Sequence, residues 1–267
     1  MEALDIPLVR FVLLYLLLLL PLYLLQRLKL GLGREILISV VRMSVQLFLV
    51  GIYLKYIFAV NSLLLNILWI MVIMVVANLN ILKKAGLAVK KLFWPSLAGV
   101  ACGTLVVLGV FLFLVVRPTP LYDARYMIPL AGMLLGNCMN GNILALERFY
   151  SGLRKEESTF LSYLLMGATL KEAVHPFMGE AIRRSLAPTI ASMMTIGIVS
   201  LPGMMTGQIL GGSFPLVAIK YQIMIMIGIF SSLVISMVAS LNLSLPFAFD
   251  AMLMLRSEIF MDSRKKG

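Results

Sequence analysis

Seven stretches of this chain are apolar for 20 residues or more, and that pattern limits the fold before anything else does. They run roughly Ile6–Leu25, Ile36–Phe58, Ser62–Leu82, Phe93–Val116, Tyr126–Leu146, Pro188–Leu210 and Leu216–Leu241. At 1.5 Å per residue, about 20 residues cross a hydrocarbon core of about 30 Å. The runs are continuous rather than alternating, which excludes a transmembrane barrel. With 61% hydrophobic and only 13% charged residues in 267, a soluble domain of this length would lack polar surface. The expected fold is an all-α polytopic membrane protein of seven transmembrane helices, forming one domain over residues 1–267. The first run lacks a basic leader and a small-x-small cleavage site, so it is expected to remain as a helix.

Lysine and arginine orient the bundle. With the N-terminus outside, 17 of the 23 basic residues fall on inner segments. These include Lys83, Lys84, Lys90, Lys91, Arg148, Arg154, Lys155, Lys171, Arg183 and Arg184. The positive-inside rule then favours N-out, C-in, a multi-pass protein of the inner or plasma membrane. The net charge of +11 follows from this asymmetry and calls for anionic lipid rather than nucleic acid. Cys102 and Cys138 fall in different spans, and no disulfide is expected.

Most connections are short. The exception is the inner segment of about 147–187, with helical pieces near Glu156–Met166 and Leu170–Arg184. It reads either as a docking surface or as an interfacial connector lying on the headgroups. The tail of about 246–267 is expected on the same side. No Gly-Lys dipeptide occurs, so a P-loop is absent. If ATP drives this chain, another polypeptide binds it. His175 is the single histidine and no hydrolytic cluster surrounds it, so no enzymatic role is expected and no cofactor is assigned to the chain.

The polar residues inside the spans are the functional candidates, because an unpaired polar group in hydrocarbon costs several kcal/mol, on the order of 2–7. Arg42 and Gln46 share one face of the second span. Asn78 and Asn80 lie near the inner end of the third. "GNCMNGN" (Gly136–Asn142) puts Asn137, Asn140 and Asn142 in the fifth, and Ser192 and Thr195 begin the sixth. These levels coincide, which predicts a hydrated pocket open to the cytosol and lined by spans two, three, five and six. The competing readings are interhelical hydrogen bonding for the amides and snorkelling for Arg42.

The sixth span carries "SLPGMMTGQILGG". Pro202 predicts a kink, and Gly203, Gly207 and Gly211 form G-x-x-x-G spacings, as do Gly132 and Gly136 on the fifth span. Close packing or gating is expected of these glycines and of their neighbours Met204, Met205 and Gln208. Cys138 and Met139 are weak candidates for a soft metal ion.

Several of these stretches carry a family resemblance. "IPLAGMLLGN", "LLMGATLKEA", "IRRSLAPTI", "GIVSLPGMMTGQILGG", "AIKYQIMI" and the second-span "RMSVQL" together resemble the FetB-type permeases. These are membrane subunits of a small ABC transporter implicated in iron export, similar to plant aluminium-tolerance membrane proteins. The resemblance implies a separate, FetA-like cytosolic ATPase that holds ATP and Mg, and a homodimer of permeases. It also implies that "MGATLKEA" is a coupling element. Gly167 would make its turn, Ala168 and Thr169 would start a helix, and Lys171 and Glu172 would face the ATPase. The push would be received along the segment to Arg183 and Arg184. The rivals are an ATP-independent carrier or channel and a seven-helix scaffold that only recruits a partner.

Overall fold

The computed structural model describes residues 7–261, and among them the chain is helical with no strand. Helices α1 (Leu8–Leu13) and α2 (Leu19–Arg27) join through a 3-10 stretch, Leu14–Leu18, that tightens just before Pro21. Next come α3 (Gly33–Val60), α4 (Leu63–Lys84), and α5 (Val89–Val110) with a π-helical extension, Phe111–Val116. Then follow α6 (Ala124–Lys155), α7 (Glu157–Leu165), α8 (Leu170–Thr195), α9 (Gly203–Leu210) and α10 (Pro215–Ala248). Among the described residues, five stretches are long and apolar enough to cross a membrane: Arg10–Arg27, α3, α4, α5 with its extension, and α10.

Two ends of the bundle are defined by local contacts. At one, Asn61 ends α3 in the left-handed conformation and its Oδ1 accepts the Ala124 N–H at 2.9 Å. There Asn66 also donates to the Tyr122 carbonyl at 2.7 Å. At the other, basic end, Lys83 and Lys84 close α4, and Arg154 and Lys155 close α6, where cations oppose the negative pole of the helix. The C-terminal segment belongs to this basic end and is fastened to it. Ile259 is fully buried, its carbonyl accepts the Ala88 N–H at 2.7 Å, and the Met261 N–H reaches the Gly86 carbonyl at 2.8 Å. Lys91 pairs with Glu258, and the Arg154 guanidinium sits 5.1 Å from the Phe260 ring. The described residues after α10, 249–261, therefore form a strap across this end.

The core lies where α10 runs between α5 and α6. Ser232, Ser236, Ser240 and Ser244 recur every fourth residue along α10 and are all buried. Opposite them, Gly99 and Gly103 let α5 come so close that a Cβ on Gly103 would lie 2.5 Å from the Ser232 carbonyl oxygen. This is small-residue packing of the membrane type. It was not among the expected close contacts. At Gly132, Gly136, Gly203 and Gly207 a Cβ would meet nothing within 4 Å, so those glycines do not pack closely within one copy.

The sixth span departs from expectation. Instead of one helix kinked at Pro202, α8 ends at Thr195, and the chain is non-helical until α9 starts at Gly203. Gly197 takes a φ of +88° and its N–H turns back to the Ser200 carbonyl, which ends the ladder a turn before Pro202. Pro202 then sits ahead of α9, where its missing donor costs nothing. The inner connector holds the two expected helical pieces, α7 and the first half of α8, but the second runs on as one helix into the expected sixth span, and α6 outlasts the predicted Leu146 to reach Lys155.

Candidate functional site: an amide cleft joined to an exposed turn

Between α6, α8 and α10 lies an open cleft of about 290 Å³. Asn137 and Asn140 of α6 face Ser185, Thr189 and Ser192 of α8, over an apolar floor that includes Met226 and Leu233 of α10. Asn137 is exposed, and its Nδ2 donates only to the Met133 carbonyl of its own helix, at 2.9 Å. Ser185 is similarly self-satisfied through the Ala181 carbonyl at 2.7 Å. The carbonyl oxygen of the Asn137 amide is thus left for whatever enters the cleft.

The other predicted polar residues are not gathered here. Asn142 turns into the core, where its Nδ2 donates to the Cys138 carbonyl and to Ser236 Oγ, both at 2.8 Å. Asn78 is buried and donates to the Phe93 carbonyl at 2.9 Å, tying α4 to α5. Asn80 is exposed and bonds its own helix at Val76. Arg42 and Gln46 are exposed on α3, which meets the start of α6 near its own far end, through the cluster of Ile57, Ala124 and Ile128. The expected pocket of spans two, three, five and six is, within one copy, a cleft of α6, α8 and α10.

Cys138 is fully buried, with its sulfur 3.0 Å from Ser232 Oγ, and Ser236 and Thr104 also lie within reach. It does not line the cleft. Met139 is half-buried against the core. Among the described residues no three His, Cys, Asp or Glu side chains come together as a metal cluster. Of the stretch after the break, Met204 packs against the core, Met205 is half-buried, and Gln208 keeps a buried, unpartnered Oε1.

The α7–α8 turn projects at the basic end. Gly167 has a φ of +90°, the left-handed geometry that favours glycine, and Leu165 and Met166 beside it are 88% and 74% exposed. Thr169 is the N-cap of α8 and forms a capping box with Glu172. The Thr169 N–H and hydroxyl both donate to Glu172 Oε2, at 2.8 and 2.7 Å, and hold that carboxyl below the usual carboxylate range, the hydroxyl most. Glu172 therefore builds the helix start, and Ala168 packs half-buried against the core instead of entering the helix. Lys171 stays exposed, as does Arg183, while Arg184 pairs with Glu180. From Leu170 to Thr195 the helix is unbroken, so the turn and the Ser185–Ser192 wall of the cleft are two parts of one rod about 39 Å long.

Comparison with known proteins fits this membrane architecture. A family model described as Uncharacterised protein family (UPF0014) matches residues 8–249. The chain belongs to that family. It is 34% identical to the UPF0014 membrane protein YjkA of Bacillus subtilis over 233 residues, covering 86% of this chain and 91% of YjkA. It is 37% identical to the Probable iron export permease protein FetB of Escherichia coli over 197 residues, 74% of each chain. Against Protein ALUMINUM SENSITIVE 3 of Arabidopsis thaliana it is 31% identical over 232 residues, 87% of this chain and 84% of the plant protein. No solved structure matches. As a UPF0014 protein with several apolar helices, the chain is a multi-pass membrane protein.

Proposed function

We propose that this chain is the permease subunit of an ABC transporter that exports iron, another metal ion or a metal-related solute, served by a separate FetA-like cytosolic ATPase. One observation carries the reading: α8 is a continuous helix with an exposed, glycine-turned, capped start at the basic end and a cleft-lining second half. A partner that grips Leu165, Met166 and the Gly167 turn moves the Ser185–Ser192 wall with it. The break at residues 196–202 lets that wall shift without dragging α9 and α10. The chain hydrolyses nothing; it receives a push. Amide and hydroxyl oxygens are neutral, weak donors for a transition metal, which suits passage of an ion rather than its retention. The relationship to FetB supports iron as the first cargo to try.

The test is transport in proteoliposomes that contain this chain and its ATPase, with radioactive iron on the ATPase side. ATP should drive iron away from that side, and Gly167→Trp should uncouple ATP hydrolysis from iron movement. Equal flux without the ATPase would replace this reading with an ATP-independent carrier. Association with the ATPase but no flux of any metal would leave a scaffold.

A further inference from the structure

We infer that α3 of one copy closes the amide cleft of a second copy, bringing Arg42 and Gln46 to Asn137 and Asn140 of its partner. Two unpartnered surfaces lead there. The first is on α3. Among the described side chains from α1 to α3, Ile57 alone is buried, so almost the whole 28-residue helix stands clear of its own bundle. The first span, α1 and α2 with the 3-10 stretch between them, covers one side of it, along Val40, Met43, Ser44 and Leu47, with Tyr15 Oη 2.8 Å from Ser44 Oγ. Arg42 and Gln46, at i and i+4, lie on the opposite side. Arg42 is exposed and makes no hydrogen bond or ion pair among the described residues. A guanidinium part-way down an apolar helix demands polar company.

The second surface is on α6. Gly132, Gly136, Asn137, Asn140 and Glu147 are all exposed along it, and the two glycines leave open space for a neighbouring backbone. Glu147, like Arg42, has no ion pair among the described residues.

Depth makes the two surfaces match. The Ala124 N–H to Asn61 Oδ1 bond fixes the end of α3 and the start of α6 at one level. Counting from there at about 1.5 Å per residue, Gln46 lies about 21 Å down α3, and Asn137 and Asn140 about 20 and 24 Å down α6. Arg42 lies about 27 Å and Glu147 about 35 Å down. Side chains lean toward the start of their own helix, so Arg42 leans toward the basic end and Glu147 leans away from it, and the two approach. A two-fold axis along the membrane normal preserves depth, so two copies can face each other in this register. The guanidinium, a donor only, meets amide oxygens and a carboxylate, which are acceptors. The arrangement takes its bearing on transport from the permease reading, while its geometry is independent of it.

Cross-linking tests it. On a Cys102→Ser background, one tagged copy carries Gln46→Cys and a differently tagged copy carries Asn140→Cys; both positions are exposed, so neither disturbs the core. Mild oxidation in membranes should give a covalent dimer bearing both tags. Replacing Gln46→Cys by Ser44→Cys, on the side covered by the first span, should reduce its yield at least tenfold. Absence of the mixed dimer, an equal yield from Ser44→Cys, or linkage only between like cysteines would overturn the proposal. Separately, Arg42→Glu should lower the dimer fraction in detergent and adding Glu147→Arg should restore it; no loss, or no rescue, counts against the contact. Neither experiment uses ATP or a metal. A chain that cross-links but exports nothing would thus end the permease reading and leave this interface standing.

Discussion

Asn137, Asn140 and Asn142 lie within two turns of one helix and have been sorted by facing rather than by chemistry. Asn142 is locked into the α6–α10 seam, while Asn137 and Asn140 open on the cleft. Leucine at each position removes polarity more than volume, so the three variants separate the two roles. Asn142→Leu should lower thermal stability in detergent, by about 0.6–2 kcal/mol per lost bond. Asn137→Leu and Asn140→Leu should leave the melting temperature close to that of the parent and abolish ATP-driven transport. A cleft-facing variant that melts early but still transports would make these amides glue instead. Cys138→Ser keeps a small hydrogen-bonding group beside Ser232 and should be tolerated by both measurements. The polarity of this stretch was plain in the sequence. Which amide faces where was not, because i, i+3 and i+5 along a helix point in different directions and the neighbours that receive them lie on helices far along the chain, Ser236 of α10 for Asn142 and the α8 wall for the other two.

At the scale of an element, α8 is the part whose behaviour follows from one cap. The Glu172 carboxyl is held below its ordinary pKa, so its contribution to the helix start is complete above the unfolded value of about 4.3 and is lost as pH falls through the lower, folded one. Amide exchange at the first turn of α8 should therefore quicken only in acid. Glu172→Gln should abolish that pH dependence while keeping the reciprocal cap, and Glu172→Lys should fray the turn at neutral pH and weaken ATPase binding. Unchanged exchange and binding in the lysine variant would mean that the cap has no part in docking. Thr169, three residues ahead of Glu172, is a start signal that can be read from sequence, and the helix does begin at Leu170. Its end could not be read that way. Pro176 and Pro188 both lie inside α8, and the break comes at Gly197, whose left-handed turn nothing in the apolar pattern announces.

For the molecule as a whole, the chain's reversals put the turn before α10 and the α7 helix at opposite ends of the bundle. Tyr221, early in α10, lines one pocket with Arg117 and Tyr126 at the Asn61 end, whereas Phe160 of α7 packs near Phe249 at the basic end. If the basic end faces the cytosol, a cysteine at Ser213 should react with an impermeant reagent added outside intact cells. One at Ser158 should react only after the membrane is opened. The reverse pattern would turn the cleft to the other face. Helical class and membrane setting could be read from the apolar runs alone. The α5–α10 seam could have been found too, since "GVACG" and serines at every fourth position of the last span are both visible. The glycines of "SLPGMMTGQILGG" are more conspicuous in the text, and only the fold reveals the open surroundings of Gly203 and Gly207.

That seam also divides the glycine codons of this gene into two kinds. A missense change in a glycine codon always installs a side chain, and at Gly99 and Gly103 the first added carbon would press on the backbone of Ser240 or Ser232. Alanine, the mildest of these changes, forces helices apart at a cost of about 1–3 kcal/mol. At Gly132, Gly136, Gly203 or Gly207 the same change meets open space. Random variation should thus be silenced at two glycines that look ordinary in the text and tolerated within one copy at four that look special.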